Sequence, residues 1–134
     1  MTKGFRLDWR GKQTEAAVIA GLIDGLSEIG LRVEAEAKKE LYPGHGKVTG
    51  TLQRSIHTAE PGYNWRGDSG GMSGKAALKD GGVSIEVGSG LEYAMSVHQG
   101  HHGFTGYHYL VNAVDKVRPK ALEIVTKAVK AKLK

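Results

Sequence analysis

Four of the six histidines, His98, His101, His102 and His108, fall within eleven residues, and neutral imidazole is the commonest protein ligand for metals. A zinc site needs three or four ligands converging within tetrahedral reach, held by rigid elements and braced by a second layer of hydrogen bonds. The spacing here contains no His-Glu-x-x-His and the segment is rich in glycine. A polar loop at a subunit contact, with a histidine stacked on Tyr107 or Tyr109, is the better reading. Nucleophilic chemistry is the second possibility. Ser55 and His57 lie close, and Asp80 or Glu86 would complete a Ser–His–acid set on paper. Such a set needs a strained turn presenting the serine, and an oxyanion hole; no Gly-x-Ser-x-Gly surrounds Ser55.

Gly67-Asp68-Ser69-Gly70-Gly71 matches the pentapeptide around the nucleophile of trypsin-like proteases. Those domains are two β-barrels and need far more than the 134 residues present, and this chain is patterned as helix at both ends. Low-complexity Gly/Ser/Asp content accounts for the match. No phosphate-binding loop of the Gly-x-x-x-x-Gly-Lys-Ser/Thr kind occurs; Gly44-His45-Gly46-Lys47 is too short for one. The residues therefore point to no enzyme, no cofactor and no metal.

Net charge is +5, and much of it is local: residues 116–134 carry seven bases against one acid, Glu123. A basic end of this kind meets a phosphate backbone or an acidic protein surface, or serves as a solubilising helix face whose cations suit a helix C-terminus. The residues that would face DNA are Lys127, Lys130, Lys132 and Lys134. Modules that read bases are missing, so any such contact would be nonspecific. Cysteine is absent, which excludes a disulfide scaffold. The first residues, Met1-Thr2-Lys3-Gly4-Phe5-Arg6, lack the apolar run of a signal peptide, and no apolar stretch approaches the ~20 residues of a membrane span. A soluble protein made in a cytoplasm is expected, with no membrane partner.

The elements that position these residues follow from periodicity. Residues 1–12 form an arm in which Phe5, Leu7 and Trp9 alternate, a weak strand signal or a segment that docks on a neighbour. From Gln13 to about Leu41, Ile19, Leu22, Leu26, Ile29, Val33 and Ala37 recur at helical steps on one face, with Thr14 a candidate cap. Gly21 and Gly25 either admit a second helix closely or mark a bend. Tyr42-Pro43-Gly44 stops the helix. Residues 51–58 read as a strand, or as a short helix leading into one, with Leu52 and Ile56 pointing inward. Residues 59–82 are glycine-rich with little periodicity, and ordering such a loop costs on the order of 1–2 kcal/mol per residue. Nothing in the loop's own sequence offsets that, so it is expected to be mobile until a partner orders it. Asp80-Gly81 signals a hairpin turn before the alternating strand Val83-Ser84-Ile85-Glu86-Val87. Residues 93–99 suit a strand or short helix, and a final helix opens at Tyr109, with Pro119 kinking or restarting it. The order predicts one α+β domain over residues 1–134: a long N-terminal helix, an antiparallel sheet with the glycine-rich loop, and a C-terminal helix packed on the sheet.

In their order, several of these segments resemble the small tail-component, or tail-completion, proteins of tailed double-stranded DNA bacteriophages. The resemblance rests on Ala37-Lys38, Pro43, the Thr-Gly-x-Leu-x-x-Ser-Ile element from Thr49 to Ile56, Tyr93-Ala94, Val97-His98-Gln99-Gly100 and Leu110-Val111-Asn112-Ala113. It spans residues 14–130. This chain departs from the family in its longer link, Pro43-Gly44-His45-Gly46-Lys47-Val48, in His98-Gln99-Gly100 where Glu-Phe-Gly is usual, and in Gly106-Tyr107-His108-Tyr109-Leu110 before the last helix.

The resemblance implies a virion structural protein at the head–tail junction, present in host cytoplasm during assembly. It would form a homo-oligomeric ring that meets a head-connector or stopper protein and a tail-tube protein, and that DNA passes through. For a subunit ~36 Å across, six in a ring leave a hole of similar width, enough for a duplex. Gln53, Arg54, Tyr63, Trp65 and His98 are the expected subunit-contact residues, with Tyr63 and Trp65 as exposed aromatics on a clasping arm. A basic nucleic-acid-binding or nuclease-like module is the alternative.

Overall fold

A computed structural model describes residues 11–43, 46–47, 50–100 and 106–133. The architecture is α+β, as the periodicities predict. Helix α1 spans Gly11–Glu40, the strand fragments β1 and β2 are Tyr42–Pro43 and Gly46–Lys47, and a short helix α2 covers Thr51–Ser55. Strands β3 (His57–Ala59), β4 (Ala77–Lys79), β5 (Gly82–Ser84) and β6 (Glu86–Gly88) follow, then helices α3 (Ala94–Gln99) and α4 (Tyr109–Leu133). Thr14 lies inside α1 rather than capping it, because the helix already includes Gly11. The N-terminal arm is outside the described residues apart from Gly11 and Lys12.

Helix α4 runs back along α1. A methyl placed on Gly21 would sit 2.6 Å from the Val129 Cα, and one on Gly25 would sit 3.0 Å from the Val125 Cα. The two glycines are thus the seats of a close helix–helix approach, not a bend. Their helical cost of about 1 kcal/mol each is offset by backbone contact that no larger residue allows. Lys132–Asp24 at 3.3 Å lies near one end of the pair, and Lys116 lies 3.8 Å from both Glu36 and Glu40 near the other. These half-exposed pairs fix the antiparallel register more than they stabilise it. α4 is continuous through Pro119, so the helix does not restart there. Pro119 sits on the exposed face.

The main core lies where the C-terminal half of α1 meets α2, α3 and the first turns of α4. Val33, Ala37, Leu41, Leu52, Ile56, Ala94, Tyr109, Ala113 and Val117 are buried together there. Of the two readings of residues 51–58, the structure takes the short helix leading into a strand. Gly50, at φ 82°, opens α2, and that left-handed conformation favours glycine. Leu52 and Ile56 point inward as expected. Residues 93–99 likewise take the helical option, as α3.

The sheet is small and its strands are short. β3 pairs antiparallel with β6, His57 opposite Gly88 and Ala59 opposite Glu86; β4 pairs antiparallel with β5, Ala77 opposite Ser84. The run 83–87 is therefore not one strand. Ile85 interrupts it and packs toward Gly30 of α1, and the two halves pair with different partners. The expected hairpin turn is present: Asp80 (φ 54°) and Gly81 (φ 82°) link β4 to β5, the left-handed pair that a two-residue antiparallel turn requires. Among the described residues, no helix is long and apolar enough to cross a membrane.

Candidate functional site

The most concentrated polar chemistry gathers where the glycine-rich loop folds over β3 and β6. His57, on β3, is almost wholly buried. Its Nδ1 faces the Ser55 carbonyl oxygen at 2.9 Å and so carries a proton. Its Nε2 lies 3.1 Å from the Asp68 carboxylate, close enough for an ion pair once that nitrogen is protonated too, but not aligned for a hydrogen bond. Tyr63 and Trp65 flank the ring, with centroids 5.6 and 4.8 Å away. The Tyr63 hydroxyl donates to Asp68, and the Gly70 amide donates to the other carboxylate oxygen at 3.1 Å. Those two donors, with His57 contributing less, hold the Asp68 carboxyl below its ordinary range. The Asp68 carboxylate in turn pushes the Tyr63 phenol up. Trp65 donates its indole N–H to Glu86 at 2.7 Å, and the Gly62 amide donates to the same carboxylate at 2.7 Å.

The arrangement fastens the loop to the strands. Ser55 is fully buried, and its hydroxyl donates to the Leu52 carbonyl and meets the Ser89 hydroxyl, both at 2.6 Å. Neither Asp80 nor Glu86 meets His57; the acid that does is Asp68, from the Gly-Asp-Ser-Gly-Gly pentapeptide. Ser69 of that pentapeptide is exposed, and among the described residues no histidine is bonded to it. The pentapeptide's work is an Asx turn. Ser73 donates to Glu34 of α1 at 2.7 Å, Gly74 pairs with Thr58, and the Ala76 amide donates to Ser27 at 2.9 Å. The expectation that the loop's own sequence offers nothing against the cost of ordering it is thus corrected. Its partners lie on β3, β6 and α1, too far along the chain for a local reading.

Beside this cluster is a cleft of about 490 Å³ between β6 and the helices α3 and α4. Trp65, Val87, Ser89, Met95, His98 and Tyr109 are among its walls. His98 stands edge-on to Tyr109 and His108, with centroids 5.0 and 5.6 Å away, so it meets Tyr109 by its edge and is not stacked on it. The Val111 amide donates to His98 Nε2 at 3.3 Å. Burial, then the neighbouring His108, holds the His98 imidazole below its ordinary range. Tyr109 donates its hydroxyl to the Ala94 carbonyl at 2.9 Å, and burial, followed by Tyr93, pushes its phenol up to about 12. Among the described residues, no group of three His, Asp or Glu side chains converges as a metal site. His101 and His102 lie outside the described residues.

The expected contact residues divide. Gln53 is half-buried, and its amide donates to the Lys38 and Leu41 carbonyls at 2.8 and 3.0 Å, closing the end of α1. No sequence spacing signals that task. Tyr63 and Trp65 are half-buried against His57 of their own chain, not exposed on a free arm. Arg54 is exposed, and His98 lines the cleft. On α4, Lys132 pairs with Asp24, while Lys127 and Lys130 border an open groove with Leu122 and Pro119. Lys134 lies outside the described residues.

Comparison of the chain with family models, with curated proteins and with solved structures finds no match.

Proposed function

We propose that this chain is a structural subunit of a tailed-bacteriophage virion, assembling into a hexameric ring at the head–tail junction. The observation that supports it is the part played by the Thr-Gly-x-Leu-x-x-Ser-Ile element, the longest segment behind the resemblance. Gly50 opens α2, Leu52 and Ile56 enter the core, Gln53 closes α1, and Ser55 ties α2 to Ser89. Each described side chain with a visible role there joins elements, and none is poised to react. That suits a protein whose work is to hold a shape and present surfaces. The proposal includes no catalysis and no cofactor.

The surfaces are unfinished for a lone subunit. Leu122 is 79% exposed, Met95 67% and Leu133 51%, and apolar exposure on this scale, where contiguous, marks contact sites. α1 is about 45 Å long, longer than the ~36 Å sphere from which a six-subunit ring follows. A hexamer with a duplex-wide hole therefore needs the helix pair to stand along the channel. Detection of the chain in purified tailed particles, with its density at the neck and absent from the capsid shell, is the expected result. Particles that lack the chain at every stage of assembly would overturn the reading.

The second reading, a nucleic-acid-binding module, draws on Lys127 and Lys130 beside the open groove. Salt separates the two. Contact through a few phosphates should weaken steeply between 50 and about 200 mM salt, whereas a dedicated binder retains affinity at the higher value.

A further inference from the structure

We propose that the cleft between β6 and helices α3 and α4 receives residues 5–9 of a neighbouring copy of this chain as an added strand. The proposal rests on the ring reading for its closed geometry. Three observations lead to it.

The first is the shape of the cleft. Glu86, Val87, Gly88 and Ser89 all line it. A cleft on the face of a sheet touches every second residue, because side chains alternate. Here all three residues of β6 and the following Ser89 line it, as fits a cleft running along the strand's edge. β6 pairs with β3 on one side, and among the described residues no backbone hydrogen bond reaches its other side. An edge of this kind is a template for a further strand.

The second is the chemistry of the walls. Val87 lies on the strand side, with Ala94, Met95 and Leu110 across the cleft. An occupant with apolar side chains at every second position suits them. Phe5, Leu7 and Trp9 have that alternation, and residues 1–10 carry three bases, Lys3, Arg6 and Arg10, against the single acid Asp8. The cleft presents Glu86. Five extended residues span about 17 Å, enough to cover the three residues of β6.

The third is reach. The cleft residues Ala94 and Tyr109 belong to the core cluster around Val33, Ala37 and Leu41 of α1. From Gly11 to Val33 the helix rises about 33 Å. Phe5 lies six residues before Gly11, and fully extended that is about 21 Å. Six extended residues cannot span that distance, so a strand laid in the cleft comes from another copy. Donation from each copy to the next is a head-to-tail contact, which closes into a ring when the rotation per subunit allows it.

The chain has no cysteine, so an introduced pair reports only the designed contact. Full-length Leu7→Cys and full-length Met95→Cys, carrying tags of different mass, are mixed and oxidised, and native mass spectrometry of the unmodified chain is run in parallel. Circular dichroism checks that each variant keeps the wild-type fold. The expected result is a mixed disulfide between the two chains. It should be lost when Asp80→Cys, in the β4–β5 turn, replaces Met95→Cys, and lost again when Phe5 and Trp9 are changed to Ser in the Leu7→Cys chain. Rings without the mixed disulfide would overturn the strand donation and leave the ring reading standing. The mixed disulfide without rings would keep the donation and remove the ring. A disulfide formed only within the double variant Leu7→Cys/Met95→Cys, in a monomer, would overturn both.

Discussion

Gln53 shows how a side chain suited to a surface contact is spent within the fold. The last carbonyls of a helix have no partner inside it, and its amide satisfies two of them. Gln53→Ala should cost about 1–2 kcal/mol of stability in urea unfolding, and Gln53→Glu should cost more, since a carboxylate brings no donor to those oxygens. A residue working only at a subunit contact would instead leave monomer stability unchanged. Tyr109 admits a similar test. Tyr109→Phe keeps the ring but strips the donor from the buried Ala94 carbonyl, for a loss of about 1 kcal/mol. His98 gives a pH signature. Its folded imidazole is held below the usual 6.5, so the folded chain binds fewer protons than the unfolded one between the two values. Its contribution is complete above pH 6.5 and is lost as the pH falls through the depressed value. Thermal melts of wild type and His98→Gln should converge as the pH is lowered through that window. A gap that widens on acidification would contradict the assignment.

At the level of elements, the α1–α4 contact is the joint most sensitive to change. Gly21→Ala gains helix propensity of about 1 kcal/mol, but drives a methyl into the Val129 backbone. Overpacking of this sort costs about 1–3 kcal/mol, so the variant should unfold at lower urea than wild type; a gain in stability would mean that α4 lies farther away. This joint was partly legible in the sequence. The repeat of Ile29, Val33 and Ala37 marks the buried face, and the spacing of Gly21 and Gly25 permits a close approach without naming its partner. The Asp80-Gly81 turn was legible for the same local reason, since left-handed backbone selects those residue types. What could not be read depends on partners distant in sequence. Ile85 breaks the run 83–87 because Gly30 leaves room for it on α1. The loop 59–82 is fastened by Trp65 to Glu86 and by Ser73 to Glu34. His57 meets Asp68, not the acids that a triad pattern suggests, because the loop folds back over β3. Trp65→Phe should therefore loosen the loop, seen as faster amide exchange at Gly62 and Gly70, while α1 and α4 keep their protection.

The molecule as a whole pairs a firm interior with an incomplete exterior. Its polar groups around His57 are tied within the chain, yet Leu122, Leu133 and Met95 face outward, and among the described residues β6 pairs on one side only. On the proposed ring reading, these surfaces are the ones that copies of the chain would cover. Native mass spectrometry of the full-length chain at assembly concentrations tests this most directly. A closed six-subunit species should dominate and should persist at salt concentrations that strip nonspecifically bound DNA. A chain that stays monomeric under those conditions, with no ring in virions, would contradict it.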